Sequence, residues 1–432
     1  MSEFPLVVIY KFHPVGQGLF ASGALRMGMS RLRPWNRDER VLFRWVFDCG
    51  TSSSQSLLDR QIKELIEECS ERRVLNLVGI SHFDRDHISG LLKLANAFEI
   101  ELLLLPYMSL GERLVLAFSQ GIENGDRLFE FFINPAAFLS RIDGARINRI
   151  VFVPPSEGTV PEDEGDQPEG APALDDLRLS YRIEAIEKLT EDQRLDLTEG
   201  HRQSQDFAGL LAPRERLKLS NFWQFVPYND QGLAGQAKPA FMEKVASLRG
   251  VLLDRTNRTR QKEALDLLRG AYDSCFGDSS KARNAISLFL YGGMTSRCAW
   301  LTDFFHLEVE HYSSSCGRQR TICGGHSMSI LYTGDGSLNT SERLDGLQTY
   351  LGSFCNSRNG VAVFQVMHHG AESSWMPGVA SVFQPQVSVF SSDPSGCRYR
   401  HPHANVLRDF WGYGPVQACT RFGITVAIET FY

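Results

Sequence analysis

The 432-residue sequence has no long hydrophobic run, and its N-terminus lacks the features of a secretion signal. The longest apolar candidate, Ile100 to Leu105, contains Glu101 and is followed by Pro106, whereas a membrane-spanning helix needs roughly 18 apolar residues. The first residues, Met1 to Pro5, contain no basic stretch that leads into an apolar run, which is how a signal peptide begins. We therefore expect neither a membrane span nor a signal peptide.

The sequence also lacks an even set of cysteines and an excess of positive charge. The nine cysteines are an odd number and lie scattered from Cys49 to Cys419, which is more typical of free thiols in a reducing compartment than of a disulfide framework. The 45 Lys and Arg against 51 Asp and Glu give a formal net charge of −6. This balance disfavours binding to a polyanion by bulk charge but leaves room for a local basic groove. The sequence thus predicts a cytoplasmic protein.

The composition and the hydrophobic pattern of the first hundred residues indicate a layered α/β fold. Hydrophobic residues make up 43% of the chain and charged residues 22%, as in ordinary globular proteins, so wholesale disorder is excluded. Two β-branched or aromatic runs, Leu6 to Tyr10 and Val41 to Phe47, predict strands. Apolar residues at helical spacing from Leu57 to Cys69 predict a helix. The apolar run from Val74 to Ile80 then predicts a strand that is buried on both faces.

The middle of the chain has a different character. Residues 154–176 contain eight acidic residues and no basic one, which predicts a surface loop. The following hundred residues look mainly helical, with Phe241 to Leu248 and Gln261 to Cys275 as the clearest helices, and a strand pattern resumes at Ala285. We therefore divide the chain into a first half of a β-rich domain, 1–106, an insertion of acidic loop plus helices, 107–284, and the second half of the domain, 285–432.

Potential metal ligands are concentrated in one segment, Ser81 to His87, directly behind the predicted buried strand. In an extended loop, residues two apart point the same way, so His82 and Asp84 can share one metal ion. Asp86 and His87 follow where the chain turns, and they can face a second ion. A polar surface loop is the alternative, but such a loop seldom carries His-x-Asp-x-Asp-His directly after a strand. The segment predicts a dinuclear hydrolytic site.

This segment resembles the metallo-β-lactamase superfamily, whose motif is His-x-His-x-Asp-His, with Asp84 in place of the second His. The variant is similar to the metallo-β-lactamase-type domain of the ComEC competence proteins and their free-standing soluble relatives. Further matches to that group follow in the expected order: Val15-Gly16-Gln17-Gly18, Phe47-Asp48-Cys49-Gly50, Leu331-Tyr332-Thr333-Gly334-Asp335, Met367-His368-His369-Gly370 and Arg398-Tyr399-Arg400-His401-Pro402-His403. The resemblance implies an αββα sandwich, here with a large, mainly helical insertion.

The resemblance also implies the remaining ligands. Asp335 takes the position of the carboxylate that bridges both metals in the family. His368 or His369 would complete the shell of the second ion, and we favour His368 because it continues the predicted strand Val361 to Met367, where adjacent residues point apart. His326 lies upstream of Asp335, where the superfamily usually has a further ligand for the first ion. It is either that ligand, an outer-shell residue or a loop residue without a role in the site.

These ligands lead to expectations about the metals and the nucleophile. Replacement of an imidazole by Asp84 makes the site harder, and oxygen-rich shells shift the preference from Zn²⁺ toward Mn²⁺ or Mg²⁺. We expect two divalent ions, Zn²⁺ or Mn²⁺. A water that bridges them would have its pKa lowered toward neutrality and would act as the nucleophile. Asp86, besides binding metal, could orient this water.

The last matching segment suggests how a substrate would be held. His401 or His403 could donate a proton to the leaving oxygen or hold the non-bridging oxygens of a phosphate. Arg398 and Arg400 beside them favour an anionic substrate, although a basic surface loop is an equally good interpretation of these two arginines.

Three functions remain open from the sequence. The leading hypothesis is a metal-dependent phosphodiesterase or nuclease that acts on DNA or a nucleotide, since the ComEC-type domain is associated with DNA degradation. An ester or lactone hydrolase on the same fold is the second, because a fold does not determine the substrate. The third is a sensory or effector module that docks a protein partner through the insertion and has a conditional metal site. None of the three requires contact with a membrane.

Overall fold

The structure, a computed structural model, describes residues 5–27, 40–69, 72–122, 126–161, 177–198, 206–220, 222–230, 238–254, 256–276, 287–295, 305–313, 319–325, 327–352, 354, 361–395 and 400–431. The strands in these ranges are β1 (Pro5–Phe12), β2 (Phe20–Met27), β3 (Arg40–Cys49), β4 (Val74–Leu75), β5 (Leu77–Gly79), β6 (Glu99–Ile100), β7 (Leu103–Pro106), β8 (Arg146–Ile147), β9 (Ile150–Val153), β10 (Leu179–Ser180), β11 (Ala208–Leu210), β12 (Leu217–Leu219), β13 (Trp223–Asn229), β14 (Leu288–Met294), β15 (Phe305–Tyr312), β16 (Gln319–Gly325), β17 (Ile330–Tyr332), β18 (Val363–Gln365), β19 (Val387–Ser391), β20 (Pro415–Ala418) and β21 (Gly423–Phe431).

The helices lie between these strands, and several are short. They are α1 (Gln55–Glu68), α2 (Arg85–Ile88), α3 (Leu91–Ala97), α4 (Leu110–Ser119), α5 (Arg127–Ile133), α6 (Pro135–Leu139), α7 (Glu191–Thr198), α8 (Pro239–Leu253), α9 (Arg258–Phe276), α10 (Ser341–Leu351), α11 (Val379–Phe383) and α12 (Ala404–Asp409). Three 3₁₀ turns add Ile186–Lys188, Met367–Gly370 and Glu372–Ser374. Within the described ranges, no helix combines the length and the apolar character that a membrane crossing requires.

The strands form two large sheets and one small one. The first sheet has the order β11-β9-β7-β5-β3-β2-β1-β21-β15-β16, the second β10-β12-β13-β14-β17-β18-β19-β20, and the small sheet β4-β6-β8. The first and last strands of the chain pair with each other, with Leu6 opposite Thr430. From β3 to β11 the first sheet is parallel, and so is the second from β17 to β20. The ends of several parallel strands are therefore available to build one site.

The two large sheets face each other across an aromatic core. Trp45 of β3 lies with its ring centroid 5.3 Å from that of Phe225 and 6.2 Å from that of Trp223, both on β13 of the opposite sheet. Phe47, two residues further along β3, stacks on Tyr332 of β17 at 4.7 Å. Residues two apart on a strand share a face, so the inner face of β3 is fixed by Trp45 and Phe47.

The outer faces of both sheets are covered by helices. Val46 of β3 and Val78 of β5 belong to a buried cluster with residues of α1, α3, α4, α8 and α9. Phe364 of β18 and Leu331 of β17 belong to another, with residues of α10, α11 and α12. Helices therefore lie outside two facing sheets, and a mixed α/β fold is confirmed.

The predicted elements of the first hundred residues are present, with one break. Asn76 separates β4 from β5 in the run that was expected to be a single strand. Its side-chain oxygen accepts a hydrogen bond from the backbone nitrogen of Arg44, and its amide nitrogen donates to Glu101. The polar residue in the apolar run thus divides the run between the small sheet and the first large sheet.

The insertion is less helical and less separate than expected. The predicted helices are present as α8 and α9, but the same segment supplies β9 and β11 to the first sheet and β10, β12 and β13 to the second. The strand β13 pairs along its whole length with β14, from Trp223 opposite Met294 to Asn229 opposite Leu288. Short aromatic and β-branched runs such as β13 have no helical or alternating period, so pattern alone did not reveal them. Residues 162–176 of the acidic loop lie outside the described residues.

Candidate metal centre

The candidate ligands lie where parallel strands of both sheets end. The strand β5 leads into His82 to His87, β17 into Asp335, and β18 into His368 and His369. Carboxyl ends of parallel strands lie at one edge of a sheet, which brings residues far apart in the chain together. The fold therefore assembles the site from segments about 290 residues apart, since His82 and His369 both contribute.

The loop from His82 to His87 is held by close backbone packing. Asp84 precedes the short helix α2, which carries Asp86 and His87. A side chain at Gly50 would place its Cβ only 2.4 Å from the backbone C of Asp86 and N of His87. Gly18, with φ +145°, would bring its Cβ within 2.8 Å of the Asp86 carbonyl oxygen. The glycines of two matching motifs are needed because the chain passes directly against the ligand loop.

Hydrogen bonds fix the rings of His87 and His369 with Nε2 pointing into the site. His87 Nδ1 lies 2.7 Å from Asp48 Oδ2, and His369 Nδ1 donates to the carbonyl oxygen of Ser391 at 2.6 Å. Because the outer partners are a carboxylate and a carbonyl, Nδ1 carries the proton in both neutral rings. When the ring is neutral, as it must be to bind a metal, the lone pair is on Nε2, and donation from Nδ1 to a carboxylate or a carbonyl is the usual support of such a ligand.

The other two histidines have hydroxyl partners at Nδ1. Ser81 Oγ lies 2.6 Å from Asp48 Oδ2 and 2.9 Å from His82 Nδ1. Since the hydroxyl proton goes to the carboxylate, Ser81 accepts a hydrogen bond from His82, which again leaves Nε2 as the inward lone pair. His368 Nδ1 lies 2.8 Å from Ser374 Oγ. Asp48 and Ser81 therefore orient two ligand histidines at once.

A buried amide holds Asp335 in place. Gln365 Oε1 accepts hydrogen bonds from the backbone nitrogens of Thr333 at 2.8 Å and Gly334 at 2.7 Å. Gly334 has φ +54°, and a Cβ there would lie 2.4 Å from that of Ser81. The Thr-Gly-Asp turn therefore requires glycine both for its backbone conformation and for its contact with the residue that follows β5.

Asp335 lies between two pairs of histidines. Its Oδ1 is 3.1 Å from His87 Nε2 and 3.4 Å from His369 Nε2. Its Oδ2 is 3.9 Å from His82 Nε2 and 3.5 Å from His368 Nε2. One pair thus faces each carboxylate oxygen.

The other two carboxylates complete this arrangement on either side. Asp84 Oδ2 lies 3.9 Å from His82 Nε2, and Asp86 Oδ2 lies 3.5 Å from His369 Nε2. Two sets of residues have ligand atoms within 4.8 Å of one another. They are Asp86, His87, Asp335 and His369, and His82, Asp84 and Asp86.

The electrostatics of the cluster favour ionised carboxylates beside the imidazoles. Burial alone would raise the pKa of Asp335, but His368, His369 and His87 lower it well below its ordinary value. Burial opposes protonation of His87, yet Asp335 and Asp48 raise its pKa well above the usual range. Burial and the neighbouring His87 lower the pKa of His82 to about 3. The histidines thus stabilise the ionised form of Asp335, and the carboxylates stabilise the protonated form of His87, in a largely buried site.

The residues present fit a divalent cation. Within the described part of the chain, the Nε2 atoms of His82, His87 and His369 are buried and have no hydrogen-bond partner. His87 Nε2 and Asp335 Oδ1 lie 3.1 Å apart but without the angles of a hydrogen bond. Buried polar atoms normally have a partner, so three inward nitrogens without one indicate a ligand. Imidazole nitrogens together with carboxylate oxygens are the donor set of Zn²⁺ and Mn²⁺ sites. The His/Asp cluster can therefore bind a metal ion.

Both histidines of the His368-His369 pair turn toward Asp335, which differs from the expectation that only one would. The preference for His368 rested on strand alternation, but β18 ends at Gln365 and the pair lies in a 3₁₀ turn. His368 has φ 46° and ψ 48°, and His369 has φ 59° and ψ 14°. Left-handed residues do not alternate as strand residues do. His369 belongs to the four-ligand set, whereas His368 lies beside the other carboxylate oxygen of Asp335.

The two candidate catalytic histidines have different surroundings. His401 lines the cleft over the cluster, and its ring centroid is 5.8 Å from that of His368. Its Nδ1 lies 3.4 Å from Gln17 Nε2. Burial, followed by His369 and His368, lowers the pKa of His401 to about 4. His403 instead accepts a hydrogen bond at Nδ1 from the backbone nitrogen of Glu372, at 2.9 Å, and it is not among the residues that line the cleft.

The remaining candidates are His326, Arg398 and Arg400. His326 and Arg398 lie outside the described residues. Arg400 is described, and it is exposed with φ 56°.

A cleft of about 1370 Å³ opens over the cluster. Asp84, Asp86, Asp335, His368 and His369 lie in its lining. The lining also includes apolar side chains and polar ones; the apolar ones are Ile88, Leu92, Ile122 and Leu128, and the polar ones include Ser337, Asn339, Thr340, Arg343 and Ser373. Its volume exceeds that of a usual small-molecule pocket, roughly 300–1,000 Å³, so it has room for an extended substrate.

Several supporting residues were missed by the sequence analysis. Asp48 was noted only as part of a matching motif, although it holds His87 and Ser81. The one indication for Gln365 in the sequence is that it is a polar amide within an apolar run, close to the predicted ligands His368 and His369. Gln120, in the insertion, donates to Asp84 Oδ1 at 2.6 Å and had no sequence signal at all.

No family model matches the chain, and a search of curated proteins finds no significantly similar one.

Proposed function

We propose that the protein is a metal-dependent hydrolase of the metallo-β-lactamase type, and that it is a phosphodiesterase or nuclease acting on DNA or a nucleotide. The observation that carries the proposal is the position of Asp335 between two pairs of histidines, with Asp84 and Asp86 on either side. A single structural metal would need one closed tetrahedral set, whereas this cluster has more donors than one ion uses.

The arrangement of layers supports the fold part of the proposal. Two facing sheets with helices outside them correspond to an αββα sandwich, with the ligands at one end of both sheets. The ordered motifs of the sequence converge on that end, including the glycine segments at Gly18 and Gly50, which pack against the ligand loop. A chance set of motif matches would have no reason to meet in space.

The proposed site holds two divalent ions, Zn²⁺ or Mn²⁺. Asp86, His87 and His369 would hold one, His82, Asp84 and His368 the other, and Asp335, which lies between the two sets, would be shared by both. Bound there, such ions would supply Lewis acidity and activate a water as nucleophile. The carboxylate share of the set, three aspartates among the ligands, favours Mn²⁺ over a thiophilic metal.

Residues beside the cluster would assist hydrolysis of a phosphodiester. In that reaction a bond forms between phosphorus and the oxygen of water, the bond to the leaving oxygen breaks, and the leaving oxygen takes up a proton. Asp86, whose side chain is 21% exposed and lines the cleft, is placed to orient the water. His401, on the cleft wall, is placed to hydrogen-bond a phosphate oxygen or the leaving group. His403 is not proposed for this role, since it is not among the residues that line the cleft.

The cleft suits recognition of a substrate through its phosphates. Arg85 and Arg343 line it together with several hydroxyl and amide side chains, and Arg343 also pairs with Asp230 at 3.6 Å. Among the described lining residues, no phenylalanine, tyrosine or tryptophan offers a surface for base stacking. Contacts to the backbone of a nucleic acid, or to the phosphates of a nucleotide, therefore fit the cleft better than readout of stacked bases.

A metal and substrate screen tests the proposal. Metal-free protein is loaded with Mn²⁺ or Zn²⁺ and incubated with bis-p-nitrophenyl phosphate, single- and double-stranded DNA, and a lactone. We expect close to two ions per chain and cleavage of the phosphodiesters. Asp335→Asn should abolish both, whereas Asp345→Asn, which changes an exposed carboxylate on α10, should retain both.

Two outcomes would refute the proposal. A chain that binds no divalent ion after metal loading has no metal centre of this kind. Cleavage of the lactone with inert phosphodiesters would replace the phosphodiesterase by the ester or lactone hydrolase that the sequence left open.

A further inference from the structure

One residue of the 107–284 segment reaches into the metal centre. Gln120 follows α4, and its Nε2 donates to Asp84 Oδ1 at 2.6 Å and lies 3.3 Å from the carbonyl oxygen of Phe83. Both partners are acceptors, so the amide nitrogen must face them and the orientation of the amide is fixed. Oδ1 of Asp84 is thereby engaged, and Oδ2 is the oxygen that faces His82 Nε2.

The end of α4 fixes where Gln120 stands. Gly121 has φ +70°, and its nitrogen donates to the carbonyl of Phe118 at 3.0 Å, while the nitrogen of Ile122 donates to that of Ala117 at 3.1 Å. This pair of hydrogen bonds is a Schellman motif, which ends a helix at a defined residue. A capping box at Ser109 fixes the other end of the same helix.

The two long helices of the insertion brace this helix end. Arg269 of α9 donates to the carbonyl oxygen of Ile122 at 2.7 Å and lies over the ring of Phe118 at 5.3 Å. The Phe118 ring also packs against Phe241 of α8 and Tyr272 of α9. The position of Gln120 is therefore set by packing within the insertion and not by the ligand loop alone.

We propose that Gln120 is a positioning residue for the metal centre, which holds Asp84 so that a single oxygen turns toward the ion beside His82. An aspartate held at one oxygen binds a metal through the other and cannot swing between one- and two-oxygen binding. The inference rests on the proposed function in that the cluster must bind two ions. The insertion thereby takes part in metal binding through Gln120, in addition to the segments that carry the ligands.

The test is a calorimetric titration of metal-free protein with Mn²⁺, with no substrate present. Gln120→Met keeps the length of the side chain and removes the donor, so a packing role would survive it and a hydrogen-bonding role would not. Loss of an outer-shell partner typically lowers metal affinity by about 10- to 100-fold. We expect that loss for the ion beside His82 and Asp84, with the other ion bound as in the wild type.

Gln55→Met is the matched control, since Gln55 also lines the cleft but its amide donates to Asp59, at 3.5 Å, which is not a candidate ligand. It should bind both ions with wild-type affinity. If Gln120→Met does not fold, as judged by circular dichroism, Gln120→Leu, which also lacks the donor and adds no charge, is titrated in its place, and the same loss is expected.

The outcomes separate the inference from the proposed function. Wild-type affinity for both ions in a folded Gln120 variant would overturn the inference and leave the two-metal hydrolase standing. An equal loss in Gln55→Met would also overturn it, because the effect would not depend on Asp84. A wild-type chain that binds no ion would overturn both.

Discussion

Replacement of Asp48 by asparagine should weaken metal binding through the tautomer of one ligand histidine. The Asp48 carboxylate is fully buried and accepts three hydrogen bonds. Its Oδ1 accepts one from the backbone nitrogen of Ser81 at 2.6 Å, and its Oδ2 accepts from Ser81 Oγ at 2.6 Å and lies 2.7 Å from His87 Nδ1. Asparagine has the same shape but one oxygen and one amide group.

The backbone decides how the amide is oriented. The Ser81 backbone nitrogen can only donate, so the oxygen of the introduced asparagine must face it, and the amide group must face His87 Nδ1 and the Ser81 hydroxyl. The hydroxyl can rotate, but His87 Nδ1 must then accept a hydrogen bond. The proton of the neutral ring moves to Nε2, which points at Asp335 and is the atom that should bind metal.

The expected loss is about 10- to 100-fold in affinity for the ion that His87 holds. At about 1.4 kcal/mol per tenfold change, this is about 1.4 to 2.8 kcal/mol. The assay is a titration of the metal-free protein with Mn²⁺ and with Zn²⁺, together with metal analysis of the purified protein. Asp59→Asn, at an exposed carboxylate on α1 paired with Lys93, is the control and should change nothing. Wild-type affinity in Asp48→Asn would refute the tautomer argument.

Further predictions concern the backbone around the ligand loop, the cleft histidines and the turn at Asp335. Gly50→Ala should destabilise the protein by about 1–3 kcal/mol, because its Cβ would meet the backbone at Asp86 and His87, whereas Gly250→Ala in α8 has open space and should be neutral or stabilising in the same thermal melt. His401→Ala should lower kcat by about 10²–10⁴-fold with both metals retained, and His403→Ala should not; equal kcat values in the two variants would contradict the assignment. Gln365→Leu should lower the melting temperature and the metal content together, because the nitrogens of Thr333 and Gly334 lose their buried acceptor; unchanged metal content would mean that Asp335 is held by other contacts.

Local sequence patterns predict the elements that carry the ligands, because each pattern depends on neighbours in the chain. The helix α1 follows from the spacing of Leu58, Ile62 and Leu65, which form its buried face. The ligand loop follows from a buried strand and the polar residues directly after it. Both patterns involve residues that are close in the chain, and the corresponding elements are present in the structure.

The sequence could not predict features that depend on long-range contacts. The strand β13 looks like an isolated aromatic run until it pairs with β14 about 65 residues later. Gln120 contacts Asp84 from the end of α4. That end is set by Gly121, with its positive φ, and by the hydrogen bond from Arg269 to the carbonyl oxygen of Ile122. In each case the deciding partner lies on another element, and a window of ten to twenty residues does not contain it.

The His368-His369 pair explains why strand alternation was a poor guide at the site itself. His368, His369 and Gly370 have successive positive φ angles, and for the two histidines this conformation costs on the order of 1–3 kcal/mol each. The surroundings offset that cost. The nitrogen of His368 donates to the carbonyl of Gly334 at 3.0 Å, His369 donates to Ser391, and Gly370 packs so closely on Phe390 that a Cβ would lie 2.9 Å away. In a regular strand, one of the two imidazoles would point away from Asp335. Strand alternation therefore fails at this pair, where both rings lie beside one carboxylate.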